Sequence, residues 1–140
     1  FFADFQVNKG YFPAIEEIVK PKQWDYPNIW SPLEYLTVIG LLRYGFIDDA
    51  KRIMSKSVKA HANLYRKYKT FFEKINGETG EGGAGALYVD QKGFGWTNTT
   101  FYRYVHILDT LEDKTISEEH KIKIVSLFAF DSTDLFYYFF

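Results

Sequence analysis

The chain has 140 residues, the size of one ordinary domain, and its 17 Lys and Arg against 18 Asp and Glu give a net charge of −1. This balance argues against a nucleic-acid-binding protein, which normally carries a marked basic surplus. The absence of cysteine excludes disulfides, zinc thiolates and a thiol nucleophile. The aromatic share is unusual, at 20%, and such rings serve either as bulky core or as platforms for flat ligand faces.

We expect neither a targeting signal nor a membrane span at the ends of these 140 residues. Residues 1–20 mix charged and apolar side chains, so no signal peptide is expected. The run 124–140 contains Asp131 and Asp134 and is too short and too charged for a membrane span. Because the only methionine is Met54, we expect a piece of a longer or processed protein.

The first predicted element is a helix that follows a loop-rich segment. Residues 1–30 have no sustained hydrophobic period and are interrupted by three prolines. The helix is expected from Ser31, which forms a capping box with Glu34, to Tyr44, and Gly45 ends it.

Three further helices are predicted along the chain. The second runs from about 48 to about 74, and the glycine-rich loop 77–86 ends it. A basic face opposes its apolar stripe, which consists of positions 50, 53, 54, 58, 65, 68 and 72. The third starts near Asn98, and the fourth starts at Ser117, with acidic residues in its first turn. Strand signals are scarce, with one short candidate at 86–89. The fold class is therefore all-α, with apolar helix faces that need neighbours.

Three segments carry candidate chemistry, and the first precedes the first helix. It reads QWDYPNIWSP and holds Gln23, Trp24, Asp25 and Trp30. Aromatic faces stack on sugar rings, while amides and carboxylates bind sugar hydroxyls. Residue chemistry alone favours a plainer interpretation, in which both tryptophans pack into the core.

The second and third segments flank the glycine-rich loop. Glu73 lies near the predicted end of the second helix, where the dipole tends to raise the pKa of an acid, although a solvated glutamate is the commoner case. The third segment, QKGFGWTN, holds Gln91, Phe94 and Trp96. Thr97 or Asn98, at its end, is expected to cap the third helix. A tight loop-to-helix junction with two core aromatics is the alternative.

Other polar groups indicate no cofactor. The histidines show no metal-ligand spacing and are interpreted as surface or core-edge residues; they are His61, His106 and His120. The glycine-rich loop lacks the pattern of a phosphate-binding loop. We therefore expect neither a metal nor an organic cofactor.

Taken together, QWDYPNIWSP, EKIN and QKGFGWTN resemble the motifs of the α,α-trehalases, in the same order, over about residues 10–111. The resemblance implies an (α/α)6 barrel of which this chain is an incomplete, C-terminal portion. Residues 1–140 would then be one fragment of a single catalytic domain, loop-rich over 1–30, helical over 31–127 and ending in an aromatic tail over 128–140.

The resemblance also implies a reaction and its residues. Trehalases hydrolyse α,α-trehalose to two glucoses with inversion, using an Asp as general acid and a Glu as general base. The base motif corresponds to Glu73, and the motif of the acid is absent from these 140 residues, so the chain alone is expected to be inactive. The residues expected to bind or surround the sugar are Gln23, Trp24, Asp25, Trp30, Gln91, Phe94 and Trp96. The resemblance implies trehalose as the partner, no nucleic acid and no cofactor. It leaves the compartment and any membrane anchorage open, because family members occur outside the cell, at membranes and in the cytosol; an extracellular or membrane-associated location is slightly favoured over a cytoplasmic one.

One departure from the family pattern leaves alternatives open. The family reads GGGGEY before GFGW, and its Glu contacts substrate, whereas Leu87 stands at that place here. Leucine cannot accept a hydrogen bond, and an unpaired sugar hydroxyl costs about 1–3 kcal/mol. A non-catalytic relative that keeps the barrel as a sugar-binding or structural body is thus a second hypothesis, favoured by Leu87 and opposed by Glu73. A truncated product without a function is the third.

Overall fold

The structure, a computed structural model, describes Trp24 and residues 26–83 and 90–130. Its elements, in chain order, are β1 (Asn28–Trp30), α1 (Ser31–Arg43), α2 (Ile47–Tyr68), β2 (Lys74–Asn76), α3 (Gly95–Glu112) and α4 (Glu118–Phe130). The four predicted helices are therefore present. The expected strand at 86–89, the loop expected over 1–23 and the end of the aromatic tail lie outside the described residues.

One apolar core joins all four helices. Its buried members come from every helix and are Val38, Ile39, Leu42, Ala50, Ile53, Met54, Tyr104, Ile107 and Val125. Removal of these side chains from water is the main favourable contribution to packing. The predicted stripe of α2 is correct up to its third turn but wrong for Tyr65 and Tyr68, which are exposed. The buried side chains there are Ser57, His61 and Leu64.

The first helix starts at the predicted residue but without the predicted cap. Trp30 is its N-cap residue and no side chain caps the helix. Ser31 is instead buried, and its hydroxyl lies 3.4 Å from Nε2 of His61. Glu34 is fully buried beside Tyr104, where burial first, and the Glu34 carboxylate in addition, raise the pKa of the Tyr104 phenol. The capping box fails because both of its side chains face the interior.

The end of α2 corrects the sequence prediction most strongly. The helix stops at Tyr68 rather than near residue 74, because Lys69 adopts a left-handed backbone conformation with φ of 57°. Residues 74–76 then form β2, which pairs antiparallel with β1. Glu73 therefore lies at a bend just before β2, outside the helix, and the helix dipole has no part in its chemistry.

The two later helices begin close to their predicted starts. The third begins at Gly95, with Phe94 as its N-cap residue and no side-chain cap. Thr97, an expected capping residue, instead donates its hydroxyl to the carbonyl oxygen of Phe72 at 2.8 Å. At α4, Ser117 Oγ accepts the backbone N–H of His120 at 3.3 Å, as a capping serine should.

His61 is the one histidine that the sequence interpretation placed wrongly. It is buried against Ser31 and the ring of Phe71, whereas His106 and His120 are exposed. Burial disfavours the charged imidazolium and lowers the pKa of His61 from 6.5 to about 4. The imidazole is therefore neutral at physiological pH.

His61 makes the stability of the chain depend on pH. Between pH 6.5 and 4 the unfolded chain binds a proton that the folded chain does not. Stability is therefore complete above pH 6.5 and is lost as the pH falls, by about 3 kcal/mol at pH 4. When the free energy of unfolding is measured with urea between pH 7 and pH 4, the His61→Gln variant should lack this part of the pH dependence. The exposed control His106→Gln should retain it, and identical slopes for wild type and His61→Gln would contradict the assignment.

Candidate active site

The first two motif segments meet in the small sheet. β1 belongs to the tryptophan-containing segment and β2 to the segment after Glu73, and the register sets Trp30 opposite Lys74. The backbone N–H of Gly77 also donates to the carbonyl oxygen of Pro27 at 2.9 Å. Segments that α1 and α2 separate in the chain thus share one ladder of hydrogen bonds.

The third segment pairs with the residues just before β2. Phe72 and Lys92 form an antiparallel bridge, and the Glu73 N–H donates to the carbonyl oxygen of Gln91 at 2.9 Å. The Thr97 hydroxyl adds the bond to the Phe72 carbonyl from the first turn of α3. Glu73 is consequently held from two sides by backbone contacts.

Four aromatic rings form a continuous cluster at this junction. Trp24 stacks on Trp30 with ring centres 3.9 Å apart and planes 10° apart. Phe94 meets Trp30 edge-on at 6.4 Å, and Trp96 meets Phe94 edge-on at 5.6 Å. Trp30 is buried while Trp24 is half exposed, so the cluster runs from the interior to the surface.

A buried ammonium lies beside the aromatic cluster. The side chains of Lys74 and Glu73 are only 1% and 4% exposed, and Nζ lies 2.8 Å from Glu73 Oε2. The same Nζ lies 3.2 Å from Oδ1 of Asp90 and 5.4 Å from the ring centre of Trp30. The ammonium therefore contacts two carboxylates and one indole, which replace the water that it has lost.

The pKa shifts of this group follow from burial and pairing. Burial by itself lowers the pKa of Lys74, but its contacts with Glu73 and Asp90 outweigh burial and raise that pKa above 10.5. For Asp90, burial raises the pKa above 3.8 despite the attraction of Lys74, and the charge of Glu73 adds a small increase. Lys74 is therefore fully protonated at neutral pH.

Gly83, in the glycine-rich loop, contacts both Lys74 and Asp90. Its N–H donates both to the Lys74 carbonyl oxygen and to Asp90 Oδ2, each at 3.0 Å. A Cβ at this residue would lie 2.4 Å from Lys74 Cγ and 3.1 Å from Asn28 Oδ1. Only glycine fits here without moving the buried lysine.

The eight residues predicted for the site have different outcomes. The structure gathers Glu73 and the four rings of Trp24, Trp30, Phe94 and Trp96 into one region, as described above. Gln91 lies beside Glu73 but contributes its backbone, and its side chain is exposed. Gln23 and Asp25, together with Leu87, lie outside the described residues.

Sequence reasoning missed Lys74, Asp90 and Gly83. A lysine is rarely buried, so the pattern EKIN gave no reason to place its second residue in the interior. A hydrogen-bonding or ion-pair role for Asp90 depends on a contact across 16 residues, which no local pattern signals. Among the described residues there is also a groove of about 430 Å³ between α2 and the loop 77–81, and none of the predicted site residues lines it.

Removal of the buried ammonium should be far more costly than removal of an exposed one. Lys74→Met leaves Glu73 and Asp90 close together without their common partner, which should lower the free energy of unfolding by about 3–5 kcal/mol. Lys67→Met removes an ion pair with Glu81 at 2.7 Å that is half exposed, and it should change stability much less. Chemical denaturation of both variants is the measurement, and equal losses would contradict the special status of Lys74.

The glycine contact with Lys74 can be tested with a matched pair. Gly83→Ala should lower the free energy of unfolding by about 1–3 kcal/mol, because the new methyl group overlaps the buried lysine stem. Gly40→Ala, inside α1, meets no atom within 4 Å among the described residues and should raise stability by about 0.5–1 kcal/mol. Thermal unfolding compares the two, and a neutral Gly83→Ala would show that the loop yields easily.

The geometry agrees with what comparisons with known proteins find. A sequence model of the Trehalase family matches residues 5–111. The trehalase of Tenebrio molitor is 38% identical over 89 residues, which cover 61% of this chain and 16% of that protein. A probable trehalase of Oryza sativa subsp. japonica is 35% identical over 99 residues, or 68% of this chain and 18% of that protein.

A third relative, the periplasmic trehalase of Salmonella paratyphi B, is 37% identical over 86 residues, which cover 61% of this chain and 15% of that protein. The chain thus spans about a sixth of the length of these relatives. The helical structure and the family match together confirm the expected fold class, all-α and part of an (α/α)6 barrel. The chain belongs to the trehalase family, whose members hydrolyse trehalose.

Proposed function

We propose that this chain supplies the general-base side of the active site of an α,α-trehalase. The observation that carries the proposal is the junction of the three segments, where the buried Glu73 carboxylate is linked through Lys74 to the stacked rings of Trp30 and Trp24. Hydrolysis of a glycoside needs a fixed carboxylate beside a surface that binds a sugar ring. Both features contact the Lys74 ammonium here, the carboxylate at 2.8 Å and the Trp30 ring centre at 5.4 Å.

In this mechanism Glu73 removes a proton from the attacking water. The water adds to the anomeric carbon from the face opposite to the leaving sugar, so the configuration at that carbon inverts. An inverting pair of carboxylates stands roughly 6.5–9.5 Å apart, which leaves room for the water. The partner acid belongs to a motif that these 140 residues do not contain, and we propose that the chain alone does not turn over trehalose.

The aromatic cluster would form one wall of the sugar site. Trp24, Trp30, Phe94 and Trp96 present ring faces and edges of the kind that stack on the C–H faces of glucose. We propose that Gln23, Asp25 and Gln91 bind sugar hydroxyls or position the loops that do so. The half-exposed Trp24 would be the ring at the entrance of this wall.

A second function, sugar binding without hydrolysis, is favoured by one specific feature. Leu87 stands where the family pattern has a glutamate, so a hydroxyl of the sugar loses an acceptor. Trehalose binding measured by calorimetry, in a protein that releases no glucose, would support this alternative. Glucose release that depends on Glu73 would exclude it.

We propose a location outside the cytoplasm, extracellular or membrane-associated. One relative is named a periplasmic trehalase. Among residues 26–83 and 90–130, no helix is long and apolar enough to cross a membrane. Fractionation of the source cells, followed with an antibody against this chain, tests the location.

Replacement of the proposed base is the decisive test. In the protein expressed at its full natural length, Glu73→Gln should reduce glucose release from trehalose by about 10²–10⁴-fold, since the amide cannot accept the proton of water. Glu112→Gln, at the exposed end of α3, is the matched control and should retain wild-type turnover. Circular dichroism should show that both variants are folded.

The initial products report the stereochemistry of the same reaction. Inversion at one of the two α-linked carbons should give α-glucose and β-glucose in equal amounts, which proton NMR resolves before mutarotation. Unchanged turnover in Glu73→Gln would remove Glu73 from the base role. Glucose release by the 140 residues alone would contradict the proposed need for an acid from elsewhere.

A further inference from the structure

Lys74, Glu73 and Asp90 form a charged cluster that contains one more carboxylate than a simple ion pair needs. Lys74 Nζ lies 2.8 Å from Glu73 Oε2 and 3.2 Å from Asp90 Oδ1, so one ammonium serves two acids. The Lys74 and Glu73 side chains are almost wholly buried, and that of Asp90 is 14% exposed. The three groups therefore interact at short range with little screening by water.

Asp90 is held in this place by specific donors. Its Oδ1 accepts from the ammonium, and its Oδ2 accepts the backbone N–H of Gly83 at 3.0 Å. The stem of Lys74 is in turn enclosed by Gly83 and lies over the ring of Trp30. The orientation of the second carboxylate is thus fixed by the loop rather than left to solvent.

The neighbouring elements contribute mainly uncharged groups to this network. β1 provides the Trp30 ring and the Asn28 amide, and α3 provides the Thr97 hydroxyl, which bonds to the carbonyl oxygens of Phe72 and Glu73. Within residues 26–83 and 90–130, the carboxylates that contact Nζ include Glu73, from the adjoining residue, and Asp90, from the segment before α3.

A carboxylate and an ammonium have opposite effects on the ionisation of a neighbouring carboxylate. An ammonium stabilises the ionised form of an adjacent carboxylate and makes it a weaker base, whereas a second carboxylate nearby opposes this effect. Burial, and to a smaller extent the charge of Glu73, raise the pKa of Asp90. Glu73 and Asp90 therefore compete for the one ammonium, whose Nζ lies 2.8 Å from the first carboxylate and 3.2 Å from the second.

We propose that Asp90 is a positioning residue for the trehalase reaction: it shares the Lys74 ammonium with Glu73, which holds the Glu73 carboxylate in place and limits its pairing with Lys74 while it activates water. The inference rests on the proposed function of Glu73. Without Asp90, Lys74 would interact more strongly with the Glu73 carboxylate.

The test is the pH dependence of kcat/KM in the protein at its full natural length. Asp90→Asn removes one of the carboxylates that share the ammonium and strengthens the pairing with Glu73, so the acid limb of the profile should move to lower pH by about one unit. Asp90→Glu retains the charge and should restore most of the wild-type position. Glu81→Gln, which removes an exposed carboxylate paired with Lys67, is the matched control and should leave the limb in place.

A second readout does not depend on turnover. The side-chain carboxyl carbon of Glu73, followed by ¹³C NMR, should show a midpoint about one pH unit lower in Asp90→Asn than in the wild type. If Asp90→Asn does not fold, the wild-type titration suffices. The Glu73 and Asp90 signals should then each show two inflections at shared midpoints, as coupled groups do.

The outcomes separate this inference from the proposed function. An unmoved acid limb in Asp90→Asn, with Glu73→Gln inactive, overturns the role of Asp90 and leaves the base assignment intact. Identical NMR midpoints in wild type and Asp90→Asn, or independent single inflections in the wild type, overturn it as well. A shifted NMR midpoint together with an active Glu73→Gln overturns the proposed function rather than the electrostatic coupling.

Discussion

The buried ammonium of Lys74 is the contact on which the whole junction depends. A charged amine in a protein interior is strongly unfavourable unless carboxylates and hydrogen bonds replace its hydration. Glu73 and Asp90 provide these groups, and they come from different segments of the chain. The ammonium therefore requires that the strand, the glycine-rich loop and the segment before α3 assemble together.

The helices position this junction because each motif lies next to a helix end. The tryptophan segment leads directly into α1 through Trp30, the N-cap residue. The Glu73 segment follows the left-handed turn that ends α2, and Phe94 is the N-cap residue of α3. The apolar core of the four helices fixes the directions of these ends, and the two short strands then bring the segments into register. Such loops on a rigid helical body are typical places for a binding or catalytic site.

Individual residues show how far sequence reasoning reaches. Gly45 and Ser117 mark helix boundaries correctly, because the local geometry of a turn or cap favours these residue types. The end of α2 was predicted wrongly, because residues 69–74 continue a helical composition, whereas Lys69 adopts a left-handed conformation and Lys74–Asn76 pair with β1. His61 was predicted near the surface, because a single polar residue on a helix gives no sign of what packs against it.

The sequence by itself determined the helical class, the family and the set of candidate residues, since periodicity, composition and motif order are local properties of the chain. Only the tertiary structure decided that Glu73 lies beyond the end of α2, next to β2, that Lys74 is buried and that Asp90 reaches the same ammonium. These facts depend on contacts between residues far apart in the chain, and on burial that inverts the ordinary preference of lysine for water. The local sequence pattern identifies the candidate side chains, whereas tertiary packing decides which of their charged groups come into contact.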